Sequence, residues 1–372
     1  MKVTFKKSDL LPVLSKVQGL TGRRTNLAIT TNILIKTDKK GLSISATDLE
    51  TGFEGFYPAD VEKEGVVAIN ARKFYEIVKD FPSDDVLLNE VENHWIEIGN
   101  QKVQYHIVGL NPDDFPEIPK IEAVEFFEID SPALAKMIER AVIVTGATDD
   151  KRAHIIGVYA ERIEEKKNRL FRFVSTDGSR LSKADSIFDS GADLPPGESV
   201  MIPKKGLIEV GKFLDDEGKV KIGFKENNFI VQKDSETLII LLLEGDFPEY
   251  GDIILKKGGK SIIFDRQRFL MMLKRMSILS SEDYKGVIFN FEKNQLVITS
   301  TNPDIGESKE DMEIKYDGDS ITVMFNPKFF IETLNVIDDD NVVLNIVDEE
   351  KPCLIEGEND QTYLSVIMPM RI

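Results

Sequence analysis

Cysteine is nearly absent from this chain, with Cys353 alone among 372 residues. An internal disulfide framework is therefore excluded, and a lone thiol fits a reducing cytoplasm, where it serves as a small buried apolar side chain. Long apolar runs are missing too. The longest candidate, Leu238 to Leu243, falls far short of the roughly 20 residues a membrane helix needs and reads as a buried strand. The N-terminus, Met1-Lys2-Val3-Thr4-Phe5, opens directly into strand alternation without the apolar core of a signal peptide.

Catalytic constellations are also lacking. The three histidines, His94, His106 and His154, do not follow metal-ligand spacing, and no Ser/His/Asp or Cys/His arrangement suggests itself. Gly258-Gly259-Lys260-Ser261 fails as a phosphate loop, because its first glycine would have to stand at Ile254 and a strand, Ile262-Ile263-Phe264, follows it. Asp338-Asp339-Asp340 could hold Mg²⁺ in a nuclease. It lies where the sequence elsewhere has Phe81-Pro82-Ser83-Asp84-Asp85 and Leu214-Asp215-Asp216-Glu217, so a solvated turn is the better reading. No metal, cofactor or enzymatic activity is expected.

What is present is repetition. A strand running into an amphipathic helix occurs three times: Val67-Ala68-Ile69-Asn70-Ala71-Arg72-Lys73-Phe74, Val200-Met201-Ile202-Pro203-Lys204-Lys205-Gly206-Leu207 and Val323-Met324-Phe325-Asn326-Pro327-Lys328-Phe329-Phe330. Proline at the first helical position is a start signal, since its missing N–H would be unpaired there. Each unit also opens with a strand and a helix whose apolar residues recur at i, i+3, i+4 and i+7, as at Leu10, Val13, Leu14 and Val17. Strands ending in Thr-Asp or Thr-Asn follow, at Thr47-Asp48, Thr176-Asp177 and Thr301-Asn302, and paired strands start from Val86, Val220 and Val342. Units this large are domains rather than solenoid repeats. The expected fold is α+β, in three repeated domains of two helices against antiparallel sheets, at 1–121, 122–255 and 256–372.

Charge is sorted as well. The chain carries a net −18, which argues against a general nucleic-acid coat. Six helices are predicted over 8–19, 71–80, 132–145, 203–214, 265–278 and 327–337; together they carry +7, leaving −25 on the remainder. If the helices share a surface, it would attract phosphates without reading bases, while the acidic remainder discourages DNA elsewhere.

Over essentially its whole length the chain resembles the bacterial DNA polymerase III beta-subunit family. The resemblance rests on Ser175-Thr176-Asp177-Gly178-Ser179-Arg180-Leu181, Val366-Ile367-Met368-Pro369-Met370-Arg371-Ile372, Ala71-Arg72-Lys73-Phe74, Asp246-Phe247-Pro248, Ser277-Ile278-Leu279-Ser280 and Ala46-Thr47-Asp48-Leu49-Glu50. It implies a non-catalytic sliding clamp, a head-to-tail homodimeric ring around duplex DNA that confers processivity. Implied partners are DNA polymerase III alpha, the clamp loader, other polymerases, ligase and mismatch-repair proteins, all binding through short peptide motifs. The implied peptide pocket comprises Arg152, Ile155, Thr176, Gly178, Arg180, Leu181, Pro248, Ile253, Asn326, Phe329, Pro352, Val366, Met368, Pro369, Met370 and Arg371. DNA-facing cations would be Arg24, Arg72, Lys136, Arg140, Lys151, Lys204, Lys205 and Arg275. A dimer seam would join Lys73, Tyr105 and Ile107 to Ile278, Leu279, Glu307 and Glu310.

Ser179 and Asp252 depart from the family pattern beside the pocket. Asp149, Ala153 and His154 depart from it in a loop that touches DNA in relatives, and Ala28 stands where a proline is common. The competing readings are a Mg²⁺-dependent nuclease, which needs converging carboxylates, and a repeat scaffold for protein partners only, whose helices need no basic face.

Overall fold

A computed structural model describes residues 1–21, 28–119, 123–144, 146, 150, 152–165, 168–187, 199–256, 258–280 and 285–371. The first repeat runs β1 (Lys2–Lys6), α1 (Lys7–Thr21), β2 (Asn32–Asp38), β3 (Gly41–Thr47), β4 (Thr51–Pro58), β5 (Asp60–Lys63), β6 (Gly65–Asn70), α2 (Ala71–Lys79), β7 (Asp85–Glu90), β8 (Trp95–Gly99) and β9 (Gln104–Val108). The second runs β10 (Phe126–Asp130), α3 (Ser131–Val142), α4 (Ala153–Ile156), β11 (Gly157–Glu165), β12 (Asn168–Thr176), β13 (Arg180–Ile187), β14 (Val200–Pro203), α5 (Lys204–Phe213), β15 (Lys219–Lys225), β16 (Asn228–Lys233) and β17 (Glu236–Leu241). The third runs β18 (Lys260–Asp265), α6 (Arg266–Met276), β19 (Val287–Glu292), β20 (Gln295–Asn302), β21 (Gly306–Glu313), β22 (Ile321–Phe325), α7 (Pro327–Asn335), β23 (Asn341–Ile346), β24 (Cys353–Gly357) and β25 (Tyr363–Ile367). The six periodic helices all form. The four-residue α4 and the charged edge strand β5 are additions that periodicity did not reveal.

Local chemistry sets the helix starts. Asn70 and Asp265 accept from the backbone N–H of Lys73 and Arg268, at 3.0 and 2.7 Å. Asn326 accepts from Lys328 N–H at 3.1 Å, with Pro327 in the first helical position. These caps satisfy donors that a helix start leaves unpaired.

The described residues form two compact units, one from 1–132 and 205–242, the other from 133–189, 197–204 and 243–372. In the first unit, one sheet is ordered β5-β1-β7-β8-β9 and an eight-stranded one β10-β15-β16-β17-β4-β3-β2-β6. The second unit has an eight-stranded sheet, β14-β11-β12-β13-β25-β24-β23-β18, and a four-stranded one, β21-β20-β19-β22. Every strand pairing among the described residues is antiparallel. Each repeat thus supplies two half-sheets, and the long sheets arise where the last strand of one repeat pairs with the fourth strand of the one before it. β17 joins β4 with Ile240 opposite Thr51 and Ile239 opposite Gly52; β25 joins β13 with Ile367 opposite Arg180 and Val366 opposite Leu181. The two junctions share one register relative to the Thr-Asp turns.

Alternation produces the cores. Val3 and Phe5 point inward from β1 and are buried, and Phe5 meets Phe74 of α2 edge-on at 5.9 Å. The third repeat is centred on Phe264, Phe269, Phe289, Phe325 and Phe330, ring against ring.

Candidate partner-binding site

The site starts from a turn. Between β12 and β13, Asp177 Oδ1 accepts the backbone N–H groups of Ser179 and Arg180, both at 3.0 Å. Thr176 Oγ1 accepts from Gly178 N–H at 3.1 Å and donates to the Arg180 carbonyl at 2.8 Å. Gly178 has φ 88° and faces open space, which makes glycine the natural occupant of this left-handed position.

That turn aims Arg180 inward. Its guanidinium donates to Asp177 Oδ2 and to the Ile143 carbonyl, each at 2.9 Å, and pairs with Glu332 Oε2 at 2.5 Å. It also stacks over Phe329, 4.3 Å from the ring centroid. Only 5% of Arg180 is exposed. It braces α7 against the turn: Nε and Nη2 are hydrogen-bonded, and Nη1 meets Glu332 as an ion pair without hydrogen-bond geometry.

Next to it, Leu181 and Val366 lie side by side in a cluster with Val174, Leu354 and Leu364. Tyr159, Phe247, Tyr250 and Ile254 pack on this cluster, and Tyr159 stacks on Phe247 at 5.0 Å. The segment that brings Phe247 and Tyr250 leaves Pro248 and Ile253 exposed. Beyond β25, Met368 N–H donates to the Ser179 carbonyl at 2.9 Å and Met370 N–H to the Met324 carbonyl at 2.8 Å. These two bonds hold Met368, Pro369 and Met370 between the turn and the strand leading to Asn326. Met368 and Met370 remain 41% and 37% exposed, side by side as pliable apolar surface. Pro352 adjoins Cys353, which pairs with Ile367; burial pushes the Cys353 thiol well above its ordinary pKa, so it is unreactive. Arg371 is exposed.

Arg152 is exposed and bound to Asp150, whose carboxyl is held at about 2 mainly by that guanidinium. Ile155 is buried, three residues along on α4. The structure therefore brings Thr176, Gly178, Arg180, Leu181, Phe329, Val366 and Met368 into direct contact or register. Tyr159, Phe247, Tyr250, Met324 and Glu332 belong with them. Sequence reading passed over these, although Phe247 lies inside the Asp246-Phe247-Pro248 motif.

The cation set needs correction. Arg140 does not present a free guanidinium: it is 5% exposed, donates to Asp360 at 2.6 Å and Thr362 at 3.0 Å, and lies over the Tyr363 ring. Burial raises the Asp360 pKa, but hydrogen bonds from Thr362 and Arg140 outweigh that and leave it lowered. Lys204 is buried too, donating to the carbonyls of Val144 and Ile155. In both cases the helical period marked a charged residue without revealing that carbonyls or a carboxylate would enclose it. Arg24 and Lys151 lie outside the described residues. Arg72, Lys136, Lys205 and Arg275 keep solvent access, each beside a carboxylate: Glu76 at 3.1 Å, Asp338 at 2.9 Å, Glu50 at 2.7 Å and Glu310 at 2.8 Å. Asp338 thus pairs with a lysine, while Asp339 accepts from the backbone of Asn359 and Asp360, as expected of a turn.

Of the residues predicted for a seam, Tyr105 and Ile107 lie on β9 and Glu307 and Glu310 on β21, both edge strands, while Lys73 lies in α2 and Ile278 and Leu279 just after α6. β9 ends one sheet, with Tyr105 38% and Val108 59% exposed; β21 ends another, preceded by Ile305 at 63%. Ile278 is 73% exposed, and Leu279 is half-buried beside it. Lys73 bonds Glu76, and Glu310 is held below the usual carboxylate range by Arg275.

Three family models match the chain in order: the N-terminal domain of the DNA polymerase III beta subunit over residues 1–119, its central domain over 128–249 and its C-terminal domain over 252–371. The beta sliding clamp of Pseudomonas putida is 29% identical, with both chains covered completely. The DNA polymerase sliding clamp of Bacillus subtilis superposes with TM-score 0.91 at 26% identity, covering 100% of this chain and 99% of that one. A Pseudomonas aeruginosa sliding clamp bound to griselimycin gives TM-score 0.91 at 26% identity, with full coverage of both.

Proposed function

Because the chain belongs to the DNA polymerase III beta-subunit family, we propose that it is a non-catalytic sliding clamp, which encircles duplex DNA and tethers the replicative polymerase and other DNA-processing proteins. The observation that carries ring formation is the repeated strand junction. β17 on β4 and β25 on β13 use one register, which leaves β9 and β21 as the equivalent edges without that partner. The same junction made with a second copy sets Gly306 opposite Ile107, Glu307 opposite His106 and Ser308 opposite Tyr105. Each chain offers both edges, so the contact is head-to-tail, which closes into a ring when its rotation permits, as the family's clamps do. It also covers two strand edges that would otherwise invite uncontrolled pairing. Lys73, Ile278, Leu279 and Glu310 flank this seam, and the domain limits that go with it are 1–121, 122–255 and 256–372.

Arg72, Lys136, Lys205 and Arg275, with Arg24 and Lys151, form the DNA-facing set. A cation that already has a carboxylate neighbour exchanges it for a phosphate at little net gain. Weak, interchangeable contacts of this kind permit sliding, whereas a few tight clamps would stop it. Partners dock through short peptides at the pocket around Leu181, Val366 and Met368, where apolar walls accept Leu and Phe side chains. No helix among the described residues is long and apolar enough to cross a membrane, and a cytoplasmic location fits this role.

The test is topological. Loaded on a nicked circular DNA by its loader, the protein stays bound through gel filtration and is lost once the circle is linearised. Equal loss from circles and linear DNA rejects the clamp.

A further inference from the structure

One buried cation is left without a task once it is removed from the DNA face. Lys204 follows directly on β14, and its ammonium reaches two carbonyls far apart in sequence, Val144 just after α3 and Ile155 on α4 at 2.6 Å. It completes a set of side chains that cap the end of α3. Ser182 Oγ donates to the Arg140 carbonyl and Ser175 Oγ to the Ala141 carbonyl, both at 2.6 Å, while Arg180 donates to the Ile143 carbonyl. Carbonyls left over at a helix end take such donors, and cations there gain from the helix dipole as well. Two of the four donors, Arg180 and Lys204, are cations, and Lys204 alone also holds α4.

We propose that Lys204 is a positioning residue for the partner-peptide pocket, tying α4 to the end of α3 so that Ile155 and Arg152 form a fixed edge beside the Thr176–Arg180 turn. This rests on the pocket reading above. The residues around the ammonium fit the role. Burial pushes Lys204 down to about 8, Asp177 opposes that shift and Arg180 adds to it, so the charge is kept at a solvation cost and without a direct carboxylate partner. Replacing such a group with an apolar one of similar length removes that cost but leaves the Val144 and Ile155 carbonyls without this donor, so α4 loses its tie while the cores that hold the strands are untouched. Carbonyl-bound edges set within about half an ångström are what peptide recognition needs.

The experiment measures binding of a fluorescently labelled hexapeptide ending in Leu-Phe, by anisotropy at neutral pH, to the wild-type dimer, K204M and K204R. Wild type binds; K204M binds about tenfold or more weakly with its melting temperature retained; K204R, which restores charged donors, recovers to within about threefold. Hydrogen exchange provides a readout that does not depend on K204M folding. The amides of Ile155 and Ile156, which bond to the Arg152 carbonyl, exchange more slowly in wild type when the peptide is bound. K204M binding as well as wild type, K204R no better than K204M, or unchanged exchange at Ile155 and Ile156 overturns the proposal while leaving the pocket in place. A wild-type protein that does not bind the peptide overturns the pocket itself.

Discussion

The two strand junctions have the same backbone and opposite surfaces. At β4–β17 the central pair is Gly52 and Ile239, and Ile118 fills the space a side chain would take; a Cβ on Gly52 would come within 2.9 Å of it. Ile118, Ile230 and Ile239 then close into a core, and Tyr57 bonds Glu236 across the seam at 2.7 Å. At β13–β25 the same positions hold Leu181 and Val366. Asp246-Phe247-Pro248-Glu249, which matches Asp114-Phe115-Pro116-Glu117 just before Ile118, is kept over them by Tyr159 and Tyr250, and Ile253 and Met368 stay exposed. One junction is a sealed joint; the other leaves apolar side chains open to solvent, the room that the proposed peptide site uses. The difference lies in a few side chains, not in topology.

The largest expected effect comes from removing that room. Deleting Met368 to Ile372 takes away the exposed methionines and their bonds to Ser179 and Met324, and peptide binding by anisotropy should fall below detection while the dimer persists on light scattering. Unchanged affinity would place the guest elsewhere. The third junction is broken by the double substitution Ile278→Glu and Leu279→Glu, which should convert the dimer to monomer at micromolar concentration; a persistent dimer would separate these residues from the seam.

Smaller effects distinguish the two internal joints. Arg180→Ala strips partners from Asp177 and Glu332, and its cost should be about 3–5 kcal/mol in urea unfolding, in line with a broken buried pair. A cost under ~1 kcal/mol would mean that the brace carries little. Gly52→Leu imports the open junction's residue into the closed one and should cost about 1–3 kcal/mol, since Ile118 must move. If it stabilises the protein instead, the first joint is not sealed in the way described.

Much of this was written locally in the sequence. Spacing at Leu10, Val13, Leu14 and Val17 reports one buried helix face, and the Thr-Asp and Thr-Asn turns keep all three repeats in phase, so elements and their order could be read directly. Continuity of β17 onto β4 could not, because strand alternation records which face is inside and says nothing about the neighbour. α4 is too short for a period. Arg140 and Lys204 read as surface cations because the carbonyls and carboxylate that enclose them come from distant segments. For the pocket, the resemblance supplied what periodicity lacked: Arg180, Phe329 and Met368 are far apart in the chain and meet only through the fold.

The long sheets also decide how the chain can be cut. The second repeat gives β10 and β15–β17 to one compact unit and β11–β14 to the other. A fragment ending after the first repeat would therefore expose the full length of β4 as a raw edge, with Phe53 uncovered, and such edges aggregate. Proteolysis and partial unfolding should respect the units rather than the repeats, and an expression fragment with good prospects would need residues 205–242 alongside 1–132.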